Sequence, residues 1–111
     1  MRIPTPASFA TALLLGLFAI HDAPAQSGLA RQGEAIVTRD CAMCHEVDRQ
    51  GLSQNRRAPP LRELPRRMSQ EELRRELTTG ITAGHPEMPR FRFSAAEVDA
   101  IMAHIQAIQD E

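Results

Sequence analysis

The sequence predicts an all-α fold with three main helices. Two Ser-x-x-Glu capping boxes, which begin at Ser69 and Ser94, each precede a stretch whose apolar residues recur at helical spacing. A third stretch with this spacing lies at residues 29–38, and no stretch shows a strand pattern strong enough to assign. Because the chain has 111 residues, it holds at most one domain.

The start of the chain has the pattern of a secretory signal peptide. A positively charged start precedes an apolar run at residues 9–20, and Ala23 and Ala25 form a small-x-small cleavage site. A retained membrane anchor is the alternative, but the run is shorter than the roughly 20 residues that cross a bilayer. We therefore expect a signal peptide at residues 1–25, export to the periplasm without stable membrane insertion, and a mature domain at residues 26–111.

The first helix is predicted at residues 29–38, where Leu29, Ile36 and Val37 fall on one face. Gly33 interrupts this face, and glycine inside a helix costs about 1 kcal/mol relative to alanine. Close approach of another helix would explain the glycine, and simple tolerance is the alternative.

The motif around which the chain is organised follows this helix. Cys41 and Cys44 are separated by two residues, and His45 comes next. Cysteines three positions apart lie on one face of a helical turn, so both sulfurs can reach the two vinyl groups of one haem edge. The histidine can then bind the iron as its proximal ligand. C-x-x-C-H is the pattern of covalent haem attachment, and we predict one haem c per chain.

Other uses of paired cysteines compete with this interpretation, as does a chance match. A thioredoxin-like redox pair follows a strand in a βαβ unit, and no strand-rich stretch precedes Cys41. A zinc site of this kind would need a second cysteine pair, whereas the chain has two cysteines in all.

The middle of the chain, residues 49–67, is predicted to be a loop because it lacks periodicity and contains several helix breakers. These breakers are Gly51, Asn55, Pro59, Pro60 and Pro65. An irregular stretch of this length needs a surface to pack on, and a haem would supply one.

The last part of the chain predicts two helices. The helix capped by Ser69 runs to about Thr79 and ends at Gly80, with Leu73 and Leu77 facing inward. Residues 81–93 are too interrupted by glycine and proline for either regular structure. The helix capped by Ser94 runs to about Gln109 on an apolar stripe of Val98, Ile101, Met102, Ile105 and Ile108. His104 on this helix is expected to be a partly buried packing residue.

Met88 is the predicted second axial ligand of the iron. It lies between Pro86 and Pro89, which restrict the backbone and exclude helix there. A thioether on a stiff loop suits an electron-transfer iron, because it stays bound in both oxidation states and favours ferrous iron. His85 is the competing ligand, with an exposed loop histidine as the ordinary interpretation. Met43, Met68 and Met102 have structural explanations instead.

In order and spacing, these pieces resemble the small, soluble class I cytochromes c of bacteria. The resemblance covers the whole mature chain and rests on Gly33, Val37, Cys41, Cys44, His45, Ala58, Pro59, Pro60, Leu61, Met88, Pro89, Ile101 and Ile105. It implies a cytochrome c-like fold of helices and loops around one covalently bound haem, with His45 and Met88 as axial ligands. It also implies that the first and last helices cross at Gly33 and that the Pro59 carbonyl accepts the second N–H of His45.

The chain departs from the family pattern at several positions. Val37 and His104 stand where the family often has aromatic residues, and Ala58 replaces a usual glycine. The tryptophan that often binds a haem propionate is missing. Arginines of the loop are candidate replacements, although most should be ordinary solvated charges: Arg56, Arg57, Arg62, Arg66 and Arg67.

The function that the resemblance implies is that of a periplasmic one-electron carrier rather than an enzyme. We expect a monomer that meets redox proteins transiently, with Arg90 and Arg92 as candidate docking charges and solvated surface as their ordinary interpretation. One alternative is a haem enzyme or gas sensor in which Met88 dissociates from the iron. Another is a dedicated electron-transfer subunit of a periplasmic dehydrogenase or oxidase. The net charge of −1 gives no support for nucleic-acid binding.

Overall fold

The computed structural model describes residues 1–4, 23–80 and 85–109. Within these ranges the chain forms α-helices and one short 3₁₀ helix, and no β-strand, which confirms the all-α prediction. In chain order the elements are α1 (Ala23–Asp40), the 3₁₀ helix (Leu61–Glu63), α2 (Leu64–Arg67), α3 (Gln70–Thr79) and α4 (Ala95–Ala107). No helix in the described part of the chain is long and apolar enough to span a bilayer.

Helix α1 is longer than the sequence predicts, because it begins at Ala23 instead of Leu29 and ends at Asp40 instead of Thr38. Pro24 does not prevent the earlier start, since a proline in the first turn lacks an N–H that the helix would leave unpaired. The predicted cleavage point after Ala25 therefore lies in the first turn of α1. Most of the predicted signal peptide, residues 5–22, lies outside the described residues.

Helices α1 and α4 cross in close contact at Gly33, which is buried. A Cβ atom at this position would overlap the backbone carbonyl of Ala100 and would lie 2.9 Å from Cβ of His104. The structure thus confirms that the glycine allows a second helix to approach. It also places the two terminal helices as the resemblance implied.

The prediction of an unbroken loop at residues 49–67 is wrong for its last part, which forms the 3₁₀ helix and α2. Pro65 does not break the chain's helical structure there, because it lies in the first turn of α2, where a proline is favoured. Burial of Leu61 and Leu64 holds these two short helices on the core.

Helix α3 has the predicted bounds, N-cap residue and terminal glycine, but of the predicted capping box only the bond to the Ser69 side chain forms. The backbone N–H of Glu72 donates to Oγ of Ser69 over 3.1 Å, and Gly80 ends the helix with a φ of +108°. This φ is in the left-handed region that favours glycine.

Helix α4 begins with a complete capping box, in which Ser94 and Glu97 each bind the other's backbone N–H. The helix ends at Ala107, two residues before the predicted Gln109, and the chain continues as a turn. The buried core joins α1, α3 and α4 with the short helices, and its members include Val37, Leu61, Leu64, Leu73, Leu77, Val98, Ile101 and Ile105.

The expectation that His104 is partly buried and merely packs is wrong. Only 5% of the residue is exposed, and its Nε2 atom lies 2.8 Å from the carbonyl oxygen of Val47. The crossing at Gly33 explains the difference, because it brings α4 close enough for the ring to be enclosed.

Candidate functional site

The C-x-x-C-H motif forms a tight turn directly after α1. The N–H of Cys41 donates to the carbonyl of Val37 over 2.8 Å, which continues the helical pattern by one residue. The N–H groups of Cys44 and His45 then both donate to the carbonyl of Cys41, over 3.1 and 2.9 Å. The two cysteines and the histidine are therefore held in one turn. No disulfide joins the two cysteines, and both are half-buried.

His45 is oriented by a hydrogen bond to the loop that follows. Its Nδ1 atom lies 2.7 Å from the carbonyl oxygen of Pro59. A carbonyl oxygen only accepts hydrogen bonds, so Nδ1 carries the proton and donates it. In a neutral imidazole the other nitrogen, Nε2, then has a free lone pair, which is the form that binds a metal.

The loop that carries Pro59 is itself tied to the motif at two points. The N–H of Asn55 donates to the carbonyl of Cys44 over 3.1 Å, and the N–H of Leu61 donates to the carbonyl of Glu46 over 2.9 Å. Because these bonds lie on either side of Pro59 in the chain, the position of its carbonyl is determined by backbone contacts.

Glu46 organises the turn after His45, a role that was not predicted from the sequence. Its Oε1 atom accepts hydrogen bonds from the backbone N–H groups of Val47 and Asp48, both at 2.9 Å. Its own N–H donates to Oγ of Ser53 over 3.0 Å. A side-chain acceptor one or two residues before the donors is typical of a local turn. The only sequence signal for this role is the position of a carboxylate directly after the C-x-x-C-H motif.

Met88 lies half-buried on a separate loop and packs against the hydrophobic core. Its N–H donates to the carbonyl of His85 over 3.2 Å, which closes a turn at residues 85–88. His85 is exposed, as expected for a loop histidine. An exposed ion pair between Arg57 and Glu87, at 3.7 Å, joins this loop to the one that carries Pro59.

The remaining methionines have the surroundings that the sequence suggested. Met43 is exposed in the motif, whereas Met68 and Met102 pack against the core. Met88 is partly buried on an irregular loop, whereas Met68, which is also partly buried, lies in the short bend between α2 and α3. Met88 is the candidate thioether ligand because its loop is also joined by the Arg57–Glu87 ion pair to the loop that carries Pro59.

Burial raises the pKa of the Cys41 thiol to about 11, and the charge of the neighbouring Asp40 adds to the effect. Arg39 forms a side-chain hydrogen bond with Asp40 that lowers the pKa of the Asp40 carboxyl group. Redox-active cysteine pairs usually contain a thiol with a lowered pKa. The raised pKa of Cys41 therefore argues against the thioredoxin-like alternative.

These residues fit a covalently bound haem. The site offers two thiols in one turn, an imidazole with a free Nε2 atom, and a thioether on a nearby irregular loop. Several apolar residues at the edge of the core remain only partly buried, which leaves apolar surface for a large cofactor to cover. They include Ile36, Cys41, Ala42, Met68, Met88 and Phe91.

Comparison with known proteins gave one family. A family model described as cytochrome C oxidase, cbb3-type, subunit III matches residues 28–105. The match covers more than half of the chain, and it includes the motif, Pro59, Met88 and most of α1 and α4. No curated protein and no solved structure matches the chain.

Proposed function

Because the chain belongs to the family described as cytochrome C oxidase, cbb3-type, subunit III, we propose that it is a periplasmic one-electron carrier with His/Met axial ligation. Membership by itself makes the chain a small monohaem c-type cytochrome, whose haem transfers electrons. Beyond family membership, we propose which residues hold the haem and which residue is the sixth ligand. We also propose that the protein lies outside the cytoplasm.

We assign a role to the two cysteines and the histidine of the motif. Cys41 and Cys44 form the two thioether bonds, and Nε2 of His45 binds the iron. Bound haem c supplies the one-electron chemistry of its iron. The observation that carries this assignment is the hydrogen bond from Nδ1 of His45 to the Pro59 carbonyl at 2.7 Å. Such a bond sets the tautomer, orients the ring and makes the ligating nitrogen more basic.

Met88 is the proposed sixth ligand. A neutral thioether favours ferrous iron over ferric iron, so it raises the reduction potential relative to a second imidazole. Partial burial of Met88 supports its role, since a ligand buried by the protein stays in place when the iron changes its oxidation state. His85, three residues away, is exposed and is the weaker candidate.

The domain division remains part of the proposal: residues 1–25 direct export, and residues 26–111 form the haem domain. Redox partners would meet the domain beside the motif, where the large apolar residues Met43 and Leu52 are 87% and 85% exposed. The exposed Arg56 follows Asn55, which is bonded to Cys44, so it is well placed to steer such encounters.

The test is to express the full chain in a host that attaches haem c and to examine the purified product. We expect a covalent haem, a low-spin ferric spectrum and the long-wavelength sulfur-to-iron band. Met88→Ala should abolish this band, whereas Met102→Ala, at a methionine packed against the core, should retain it. A colourless product would refute haem attachment. A band that survives in Met88→Ala would refute the ligand assignment, and His85→Ala would then be examined.

A second candidate function rests on the description of the family, which names an oxidase subunit. The chain would then deliver electrons within a stable membrane complex instead of diffusing between partners. Affinity purification of the tagged chain from its native membranes separates the two functions. Recovery with haem-containing oxidase subunits in fixed proportion supports the complex, and recovery of the chain alone in the soluble fraction supports the free carrier.

The remaining alternative is a haem enzyme or gas sensor in which Met88 leaves the iron. Binding of carbon monoxide to the ferrous protein measures this directly. A carrier with a firmly bound thioether should bind the gas weakly and slowly, and rapid stoichiometric binding would favour the sensor.

A further inference from the structure

His104 is the only buried polar or charged side chain within the described residues. It lies three positions after Ile101 and four before Ile108, so it occupies the apolar face of α4. A polar group on such a face is costly to bury unless it is hydrogen-bonded. The ring satisfies this requirement through the contact between its Nε2 atom and the carbonyl of Val47, at 2.8 Å.

The direction of this hydrogen bond follows from its partner. The Val47 carbonyl can only accept, so Nε2 of His104 carries the proton and donates it. Val47 is only 7% exposed, so little water is available to replace this donor.

Val47 lies two residues after the proposed iron ligand His45. The backbone N–H and carbonyl of Glu46 and the N–H of Val47 already have hydrogen-bond partners. Ser53 and Leu61 bind the N–H and the carbonyl of Glu46, and the Glu46 carboxylate binds the N–H of Val47. All of these partners lie at residues 46–61, within the motif and the loop after it. The carbonyl of Val47 is the group that connects this segment to α4 through a side-chain hydrogen bond.

We infer that His104 is a positioning residue for the proximal haem ligand. It holds the backbone after His45 from the side of α4, while the Pro59 carbonyl holds the His45 ring from the side of the loop. The missing side chain at Gly33 makes this arrangement possible, because it lets α4 approach α1 at His104. The two contacts together determine the orientation of the imidazole. This inference rests on the proposed attachment of haem at Cys41, Cys44 and His45.

The test compares three variants of the haem-loaded protein. His104→Phe keeps a ring but removes the donor, and His104→Gln keeps an N–H donor at a similar reach. Leu77→Ala removes buried volume from α3 without removing any hydrogen bond to residues 45–48, so it controls for lost stability. Ferric electron paramagnetic resonance reports the geometry of the axial ligands, and redox titration gives the midpoint potential.

We expect His104→Phe to shift or split the low-spin resonance and to lower the midpoint potential. The reason is that the partial negative charge of the Val47 carbonyl, no longer offset by a donor, stabilises the more highly charged ferric state. His104→Gln should resemble the wild type in both measurements, and Leu77→Ala should lose stability without either change. If His104→Phe yields no haem-loaded protein, His104→Met takes its place, since it fills the space with a flexible apolar chain.

The inference is overturned if the variant without a donor keeps the wild-type resonance and potential, or if His104→Gln departs from them as far as that variant does. Failure of the proposed function has a different signature, because the wild type itself would then lack covalent haem or the His/Met spectrum. Hydrogen exchange of the His104 Nε2–H in the ferrous wild type gives an independent readout. Slow exchange supports the bond to Val47, and fast exchange refutes it.

Discussion

Gly33 of α1 and Ala100 of α4 bring the two helices into backbone contact. No side chain fits between them, because a Cβ atom at position 33 would overlap the Ala100 carbonyl. The contact lies one helical turn before His104 on α4, and Val37, one turn further along α1, is fully buried. The crossing thus connects the core to the segment that carries the motif.

Gly33→Ala should destabilise the protein. The added methyl group would force the two helix backbones apart, because backbone atoms cannot change rotamer to make room as a side chain can. We expect the free energy of unfolding to fall by about 2 kcal/mol. Gly28→Ala is the matched control, because it lies in the same helix and a Cβ atom there meets nothing within 4 Å. This control should gain up to about 1 kcal/mol from helix propensity. Denaturant unfolding of the haem-loaded variants measures both, and equal effects at the two glycines would contradict the packing argument.

Ser94→Ala should lower the free energy of unfolding by about 1 kcal/mol, because the N–H of Glu97 loses its capping acceptor. Ser94→Asp keeps an acceptor at the same position and should stay within a few tenths of a kcal/mol of the wild type. Chemical unfolding followed by circular dichroism provides the comparison. If alanine and aspartate give the same stability, the cap contributes nothing measurable to α4.

Cys41 should react slowly with alkylating reagents in the haem-free chain. Burial raises the pKa of its thiol from 9.0 to about 11, so a smaller fraction is thiolate at mildly alkaline pH. The thiolate is the reactive form, and a shift of this size reduces its fraction about 100-fold below both pKa values. The rate should therefore rise steeply only as the pH approaches the raised pKa.

The measurement uses Cys44→Ser, so that one thiol remains, and compares the alkylation rate in buffer with the rate in concentrated urea. Slower reaction in buffer is expected because unfolding removes the burial. Equal rates would show that the Cys41 thiol is not buried before haem is attached.

Processing should occur after Ala25, which makes Gln26 the first residue of the mature protein. The expected evidence is the intact mass of the exported protein, together with its recovery from the periplasmic fraction. Ala25→Phe places a bulky side chain where the peptidase needs a small one and should block processing. Gln26→Ala, at the neighbouring position after the bond, should be processed normally. An exported protein whose intact mass still includes residues 1–25 would instead indicate that the leader is not cleaved.

Much of the fold was predictable because its signals are local. The caps at Ser69 and Ser94 involve residues three positions apart, and the end of α3 depends on one glycine. The short helices after residue 60 were missed because Pro65 can either break a helix or begin one, and its local sequence does not decide between these uses. Burial of Leu61 and Leu64 on the distant core decides it.

By itself, the sequence determined the chemistry available to this protein: the two thiols and the imidazole of the motif, the thioether of Met88, and the helices around them. The tertiary structure decided which groups orient these ligands. The Pro59 carbonyl meets His45 across 14 positions of the chain, and His104 meets Val47 across 57. Such contacts depend on how helices cross and loops close. They therefore arise only when the whole core assembles, and no local pattern specifies them.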